Sequence, residues 1–348
     1  RKLAPRNDQW HHMFNADIIS MPDKWEYPWY AAWDLAFHCV TMALIDPEFA
    51  KEQVLLLQQA TTQHPHGQIP AYEWSFGDTN PPLHAWAAWQ VYQMDRARNG
   101  VGDQDFLART YRSSTLNAMW WLNQKDQANR GVFGGGFLGM DNVGVFDRDQ
   151  PLPTGGQLAQ VDGTAWMAAQ IFHLLEMSVE LARDEPHYLH MFSRWVWDAW
   201  LIANALEKGS GRVSFWNDTT DFYHDVIEMP DGTGRSLEVF SIQSIVPLFA
   251  TLTIPATEAA AIATINGFLE DLARTYEHTA QDVRLDVAGG DGSHFMMAVV
   301  HRDRLTAMLD RLLDPEQFLS AHGVRSLSRY HRDHPYVFRV GDVDHAID

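Results

Sequence analysis

The chain has 348 residues, 46% hydrophobic and 12% aromatic, which is enough apolar mass for a sizeable core and too much for a disordered chain. Its formal net charge of −19, with 45 acidic against 26 basic residues, disfavours an electrostatic grip on nucleic-acid phosphates. No apolar window is long enough to span a membrane and no charged-then-apolar leader opens the chain, so the expectation is a cytoplasmic protein with no membrane or nucleic-acid partner and no indicated oligomeric state.

Helical periodicity predicts amphipathic segments in pairs, each pair joined tightly and separated from the next by a long polar loop rich in glycine and proline. The first pair is predicted over 30–45 and 47–62, split at Asp46-Pro47, where Asp46 caps and Pro47 takes the first helical position. The second is predicted over 81–98 and 103–127, split by Asn-Gly-Val-Gly, and the third over 162–183 and 186–207, split by Arg-Asp-Glu-Pro. Further helices are expected near 244–253, 256–278 and 301–313, and segment 213–241 reads as a hairpin with a Pro-Asp-Gly turn.

Short connections make paired helices antiparallel, so the long loops 63–80, 128–161 and 208–243 collect on one face. That pattern predicts a single all-α domain over residues 1–348, an (α/α)₆ toroid with a small β-hairpin insertion. A complete six-pair toroid needs about twelve helices, and about nine are counted. The chain opens on Arg1 and closes on VGDVDHAID, so both ends read as cut and a fragment is expected. An α-solenoid is disfavoured because no repeat recurs at a fixed period.

The long loops carry the chemistry. DKWEYPWYAAWD precedes the first helix of pair one, GQIPAYEWSFGDTNPP that of pair two, and GGGFLGMDNVGVFD that of pair three. The first two mix carboxylates with tryptophan and tyrosine and the third with phenylalanine, and sugars present hydroxyl edges to acids and C–H faces to rings, so a carbohydrate site is indicated. Asp141, in an apolar Phe-Leu-Gly-Met setting, is either a general acid kept protonated by desolvation or the cap of a turn. Asp34 on an apolar helix either binds a ligand or pairs with His38, and Glu73 between Tyr72 and Trp74 is either a ligand contact or a solvated loop acid. Asp78, Asn80 and Asp162 read first as helix caps.

Cys39 is a lone cysteine in an apolar run and is expected in the core. The seventeen histidines show no HExxH spacing, and His64-Pro65-His66 is a weak metal signal, so no metal is expected. G-x-S-x-G is absent too, which leaves hydrolysis by paired carboxylates.

WEYPWYAAWDLAFH, GQIPAYEWSFGDTNPPLHAWA, GGFLGMDNVGVFDRDQPLPTGG, QVDGTAWMA and FLSAHGVRSLSRYHRDHPY together resemble the bacterial branch of glycoside hydrolase family 63, which is related to processing α-glucosidase I and to mannosylglycerate hydrolase. The resemblance implies a toroidal catalytic domain that hydrolyses α-glycosidic bonds with inversion and without metal or organic cofactor. It implies a general acid at Asp141 and places the Trp33-Asp34 and Asn80-Pro81-Pro82 segments at the sugar-binding centre; the substrate contacts expected around them are Trp29, Trp33, Asp34, Tyr72, Glu73, Trp74, Asn80, Trp86, Asn142 and Asp162. One departure stands against it: the family's general base, a glutamate beyond an Asn-Trp-Arg-Gly-Pro-Ile-Trp motif, does not occur before Asp348. Two other readings stay open, a non-catalytic carbohydrate-binding toroid and an epimerase-type toroid using His38, His84 and His173 as bases.

Overall fold

The computed structural model describes residues 7–17, 19–21, 25–126, 129–134, 143–148, 150–208, 214–275, 286–288 and 294–347. The chain divides into two compact units, one of residues 1–124 with 173–192 and the other of residues 125–172 with 193–348.

In the first unit, α1 (Ala32–Ala43), α2 (Pro47–Leu56), α3 (His84–Asn99) and α4 (Gln104–Gln124) pack in sequence. The tight split between α1 and α2 forms as read. Asp46 Oδ1 accepts from the Phe49 amide at 3.1 Å and Pro47 fills the first turn, where a missing N–H costs nothing. α2 stops at Leu56, short of the predicted 62, because the Thr62 hydroxyl donates to the Leu56 carbonyl at 2.7 Å and closes a turn there. Gly100 ends α3 in the left-handed region at φ 77°, returning its amide to the Arg96 carbonyl. Asp103 then caps α4 through the Phe106 amide and holds Lys51 at 2.8 Å. Burial opposes charge on Lys51, yet its bonds to Asp103 and Glu48 outweigh that and raise its pKa. Cys39 is buried, as expected.

The second unit holds strands as well as helices. β1 (Gln157–Ala159) precedes α5 (Val161–Ala182), whose residues up to Phe172 belong here and are buried throughout. α6 (Phe192–Lys208) follows a 3₁₀ turn at Pro186–Met191, so the predicted helix 186–207 forms with its first part wound more tightly. β2 (Trp216–Asn217) pairs with β3 (Phe222–Tyr223), and β4 (Val226–Glu228) lies between β1 and β5 (Gly234–Ser236). The β4–β5 hairpin turns at Pro230-Asp231-Gly232, with the Met229 amide on the Thr233 carbonyl at 2.7 Å.

The predicted helix at 244–253 is corrected. Ile242–Phe249 is a 3₁₀ helix and Thr251–Pro255 is β6. Pro247 supplies no amide donor, and Thr-Leu-Thr-Ile alternates, with Leu252 and Ile254 buried and the threonines exposed, which is the period of a strand. After α7 (Ala259–Thr275), β7 (Asp286–Ala288) and β8 (His294–Ala298) join β6 in a sheet ordered β6-β8-β7. α8 (Arg302–Leu312), the β9–β10 pair (Leu319–Ser320, Gly323–Val324), the single turn α9 (Tyr330–Asp333) and the β11–β12 hairpin (Tyr336–Val340, Val343–Ile347) follow.

Candidate functional site

Most of the expected site residues lie in the first unit, where backbone pairing draws two of the aromatic loops together. Ala31 and Tyr72 form an antiparallel bridge, the Ala32 amide donates to the Ala71 carbonyl at 2.8 Å, and the Glu73 amide donates to the Tyr30 carbonyl at 3.3 Å. Trp33 and Asp34 open α1 directly after this bridge, so they are fixed beside Tyr72 and Glu73. Trp33, Phe37 and Trp86 form an edge-to-face series with centroids 5.8 and 5.2 Å apart, tying α1 to α3, and Trp29 meets Tyr27 at 5.6 Å. Trp74, 59% exposed, presents most of its ring to solvent.

Asp34 is half-buried. Burial pushes its carboxyl above the usual carboxylate range, against the pull of its own backbone amide and of His38. The sequence left open whether Asp34 binds or pairs, and His38 only moderates its charge. The same burial holds the His38 imidazole below its ordinary value, and its Nδ1 lies 3.5 Å from Ser20 Oγ.

The second loop continues through Asp78, whose Oδ2 accepts the Tyr72 hydroxyl at 2.6 Å, into Thr79-Asn80-Pro81-Pro82. These four residues, with Ala32 and His84, border a cavity of about 20 Å³, the size of one water or hydroxyl group. Two of these residues carry a buried side-chain atom without a hydrogen-bond partner, Oδ1 of Asn80 and Nε2 of His84. Asn80 was read first as a cap, yet α3 has no side-chain cap bond and its flanking residue is Leu83.

The second unit corrects one expectation. Asp162 is wholly buried, with its two oxygens on Arg148 Nη1 at 3.0 and 2.7 Å and Oδ1 also accepting the Gly163 amide at 2.8 Å. Arg148 Nη2 reaches Asp225 Oδ2 at 2.7 Å, and Asp225 Oδ1 accepts the Val161 amide at 2.8 Å. Asp162 therefore anchors the start of α5 and does not present a ligand surface. Burial pushes its carboxyl up against the opposing charge of Arg148, with Asp225 adding to the rise. The sequence reading missed Arg148 and Asp225. The signal was an arginine in Phe-Asp-Arg-Asp on a glycine-rich loop, where a cation needs a reason. Asp141 and Asn142 lie outside the described residues.

His173 Nδ1 meets Glu176 Oε2 at 2.9 Å, and burial lowers His84 to about 4. The His64 and His66 rings lie 3.6 Å apart, and no cluster of three metal-ligating side chains is found among the described residues.

Comparison with known proteins places this geometry. Residues 27–151 match the mannosylglycerate hydrolase MGH1-like glycoside hydrolase domain, a span that holds every expected site residue except Asp162. The resemblance to glycoside hydrolase family 63 is borne out. Among solved structures, the family-63 mannosylglycerate hydrolase from Thermus thermophilus in complex with glucose is similar at a TM-score of 0.51 and 18% identity, over 74% of this chain and 73% of that one. The same enzyme with Tris and D-glycerate gives 0.51 and 18%, over 75% of both chains. That likeness is one of fold and bears out the α/α-toroid class. The chain is also 40% identical to the uncharacterized protein YMR196W of Saccharomyces cerevisiae, over 98% of its own length and 32% of that relative's. It thus spans about a third of that relative. Among the described residues, no helix is long and apolar enough to cross a membrane.

Proposed function

We propose that the full-length protein hydrolyses the α-glycosidic bond of a small glycoside or oligosaccharide with inversion at the anomeric carbon. The observation that supports this best is the coincidence of the family match at 27–151 with the loops that hold Trp33, Asp34, Tyr72 and Asn80 together. Tryptophan and tyrosine faces stack on the apolar side of a sugar ring, while Asp34 and Asn80 take hydroxyls. Asp141 protonates the departing oxygen, the role its apolar, glycine-rich sequence suits. A water activated by a carboxylate beyond residue 348 attacks the opposite ring face; an inverting pair stands about 6.5–9.5 Å apart to admit that water. The glucose and D-glycerate bound by the Thermus enzyme make glucosyl- and mannosylglycerate the first substrates to assay.

Asp141→Asn in the full-length protein tests the assignment. It is expected to lower kcat by a factor of about 10²–10⁴ while sugar affinity is retained. Turnover within a few-fold of wild type removes Asp141 from the mechanism.

A further inference from the structure

The cavity beside Asn80 is built in a way that the general reading of a sugar site does not require. His84 is the first residue of α3 and only 4% exposed, and its Nε2 is buried without a partner. Asn80, four residues earlier, donates from Nδ2 to the Thr79 carbonyl at 3.4 Å, yet its Oδ1 is buried without a partner. Both residues line the same recess. A buried polar atom left unmatched is costly, and two in one small space set the chemistry of whatever enters.

Three of the other polar walls are already engaged. Gln68 Nε2 donates to the Gly77 and Asp78 carbonyls at 3.0 and 3.1 Å, Asn117 Nδ2 donates to the Gly67 carbonyl at 3.1 Å, and Asp78 Oδ2 holds the Tyr72 hydroxyl. Ile69, Pro81, Pro82, Trp120 and Trp121 make the rest apolar and stiff. The amide oxygen of Asn80 only accepts, so the occupant must donate. An anion fails that condition. A group that both donates to Asn80 and accepts from an imidazole N–H, in a space for about one oxygen, is a hydroxyl of a ligand or a water that the ligand's hydroxyl replaces.

We propose that this recess receives one hydroxyl of the bound sugar, which donates to Asn80 Oδ1 and accepts from His84 Nε2–H, so that His84 is a specificity residue. The inference rests on the glycosidase reading only in taking the ligand to be a sugar. Ala32 borders the recess directly before Trp33 and Asp34, so the hydroxyl enters beside the aromatic loops. Burial lowers His84 to about 4, so the ring is neutral near pH 7 with one N–H and one lone pair, and it is the tautomer with the proton on Nε2 that donates here.

The test is equilibrium binding of glucose, mannose and the series of monodeoxyglucoses to the full-length wild type and to His84→Phe, Asn80→Leu and His84→Gln. One deoxy position is expected to weaken binding to wild type about tenfold or more, because the site's polar atoms are then left unmatched. The same position should lose its penalty in His84→Phe and in Asn80→Leu, and recover part of it in His84→Gln, which keeps a donor. If His84→Phe does not fold, Asn80→Leu and His84→Gln carry the comparison. An identical deoxy pattern in wild type and variants overturns the recess as a hydroxyl pocket and leaves the sugar site standing. A wild type that binds neither glucose nor mannose nor any deoxy sugar overturns the sugar reading, and this inference with it.

Discussion

Arg148 bridges two carboxylates at 2.7 Å each, its side chain 6% exposed, so three charges share a space with little water. Such a group tolerates removal of the whole set better than removal of one member. Arg148→Met is expected to cost about 3–5 kcal/mol of stability, because Asp162 and Asp225 are then left facing each other without a counter-charge. The triple variant Arg148→Met, Asp162→Asn, Asp225→Asn should cost less. Urea denaturation of both variants checks this, and equal losses would contradict it.

Two buried histidines in the second unit are tied to one tautomer. His224 Nδ1–H donates to the Val239 carbonyl at 3.2 Å, so Nε2 accepts from the Thr220 hydroxyl at 2.8 Å. His331 Nδ1–H donates to the His334 carbonyl at 3.1 Å, and its Nε2 accepts the Phe240 amide at 2.8 Å. A proton on His331 Nε2 would oppose that amide. Burial lowers both values, His224 to about 4, with Arg311 adding to that drop. The folded state thus binds fewer protons than the unfolded state below about pH 6.5. Stability from these groups is full above about pH 6.5 and lost as the pH falls toward 4, by about 3 kcal/mol for His224. Denaturation near neutral pH and again near the lowered His224 value reads the loss directly, and His224→Gln should flatten it.

At the scale of elements, the close approach of β1 to β4 depends on Gly156. A β-carbon there would lie 2.3 Å from the Glu228 carbonyl oxygen, which is backbone and cannot yield. Gly156→Ala should cost about 1–3 kcal/mol, seen as a lowered Tm. Asp46→Ala, which removes the cap of α2, should cost about 1 kcal/mol, also read as a Tm shift.

The helical hairpins and the β4–β5 hairpin were legible because their boundaries are written in local chemistry: Asp46-Pro47, Asn99-Gly100 and the Pro230-Asp231-Gly232 turn each perform the expected task. The β6–β8–β7 sheet was not. Its strands pair across many intervening residues, and the alternation at Thr251–Ile254 is too short to stand out from a helix fragment. In the site, the aromatic and acidic loops could be read because composition alone carries the carbohydrate signature. The Arg148 cluster could not, since Asp162 and Asp225 meet it through tertiary folding. His84 stood out by position, but its chemistry depends on which of its ring atoms lack partners.

At the scale of the whole molecule, these 348 residues correspond to 32% of the yeast relative, and the general base is assigned beyond them. The proposed activity is therefore a property of the full-length protein. Proton NMR of the full-length protein acting on glucosylglycerate or mannosylglycerate, recorded before mutarotation equilibrates the sugar, reads the stereochemistry of the first product. An inverting mechanism predicts that the β-anomer appears first from the α-glycoside. Initial release of the α-anomer, or no cleavage of any α-linked glycoside, would contradict it.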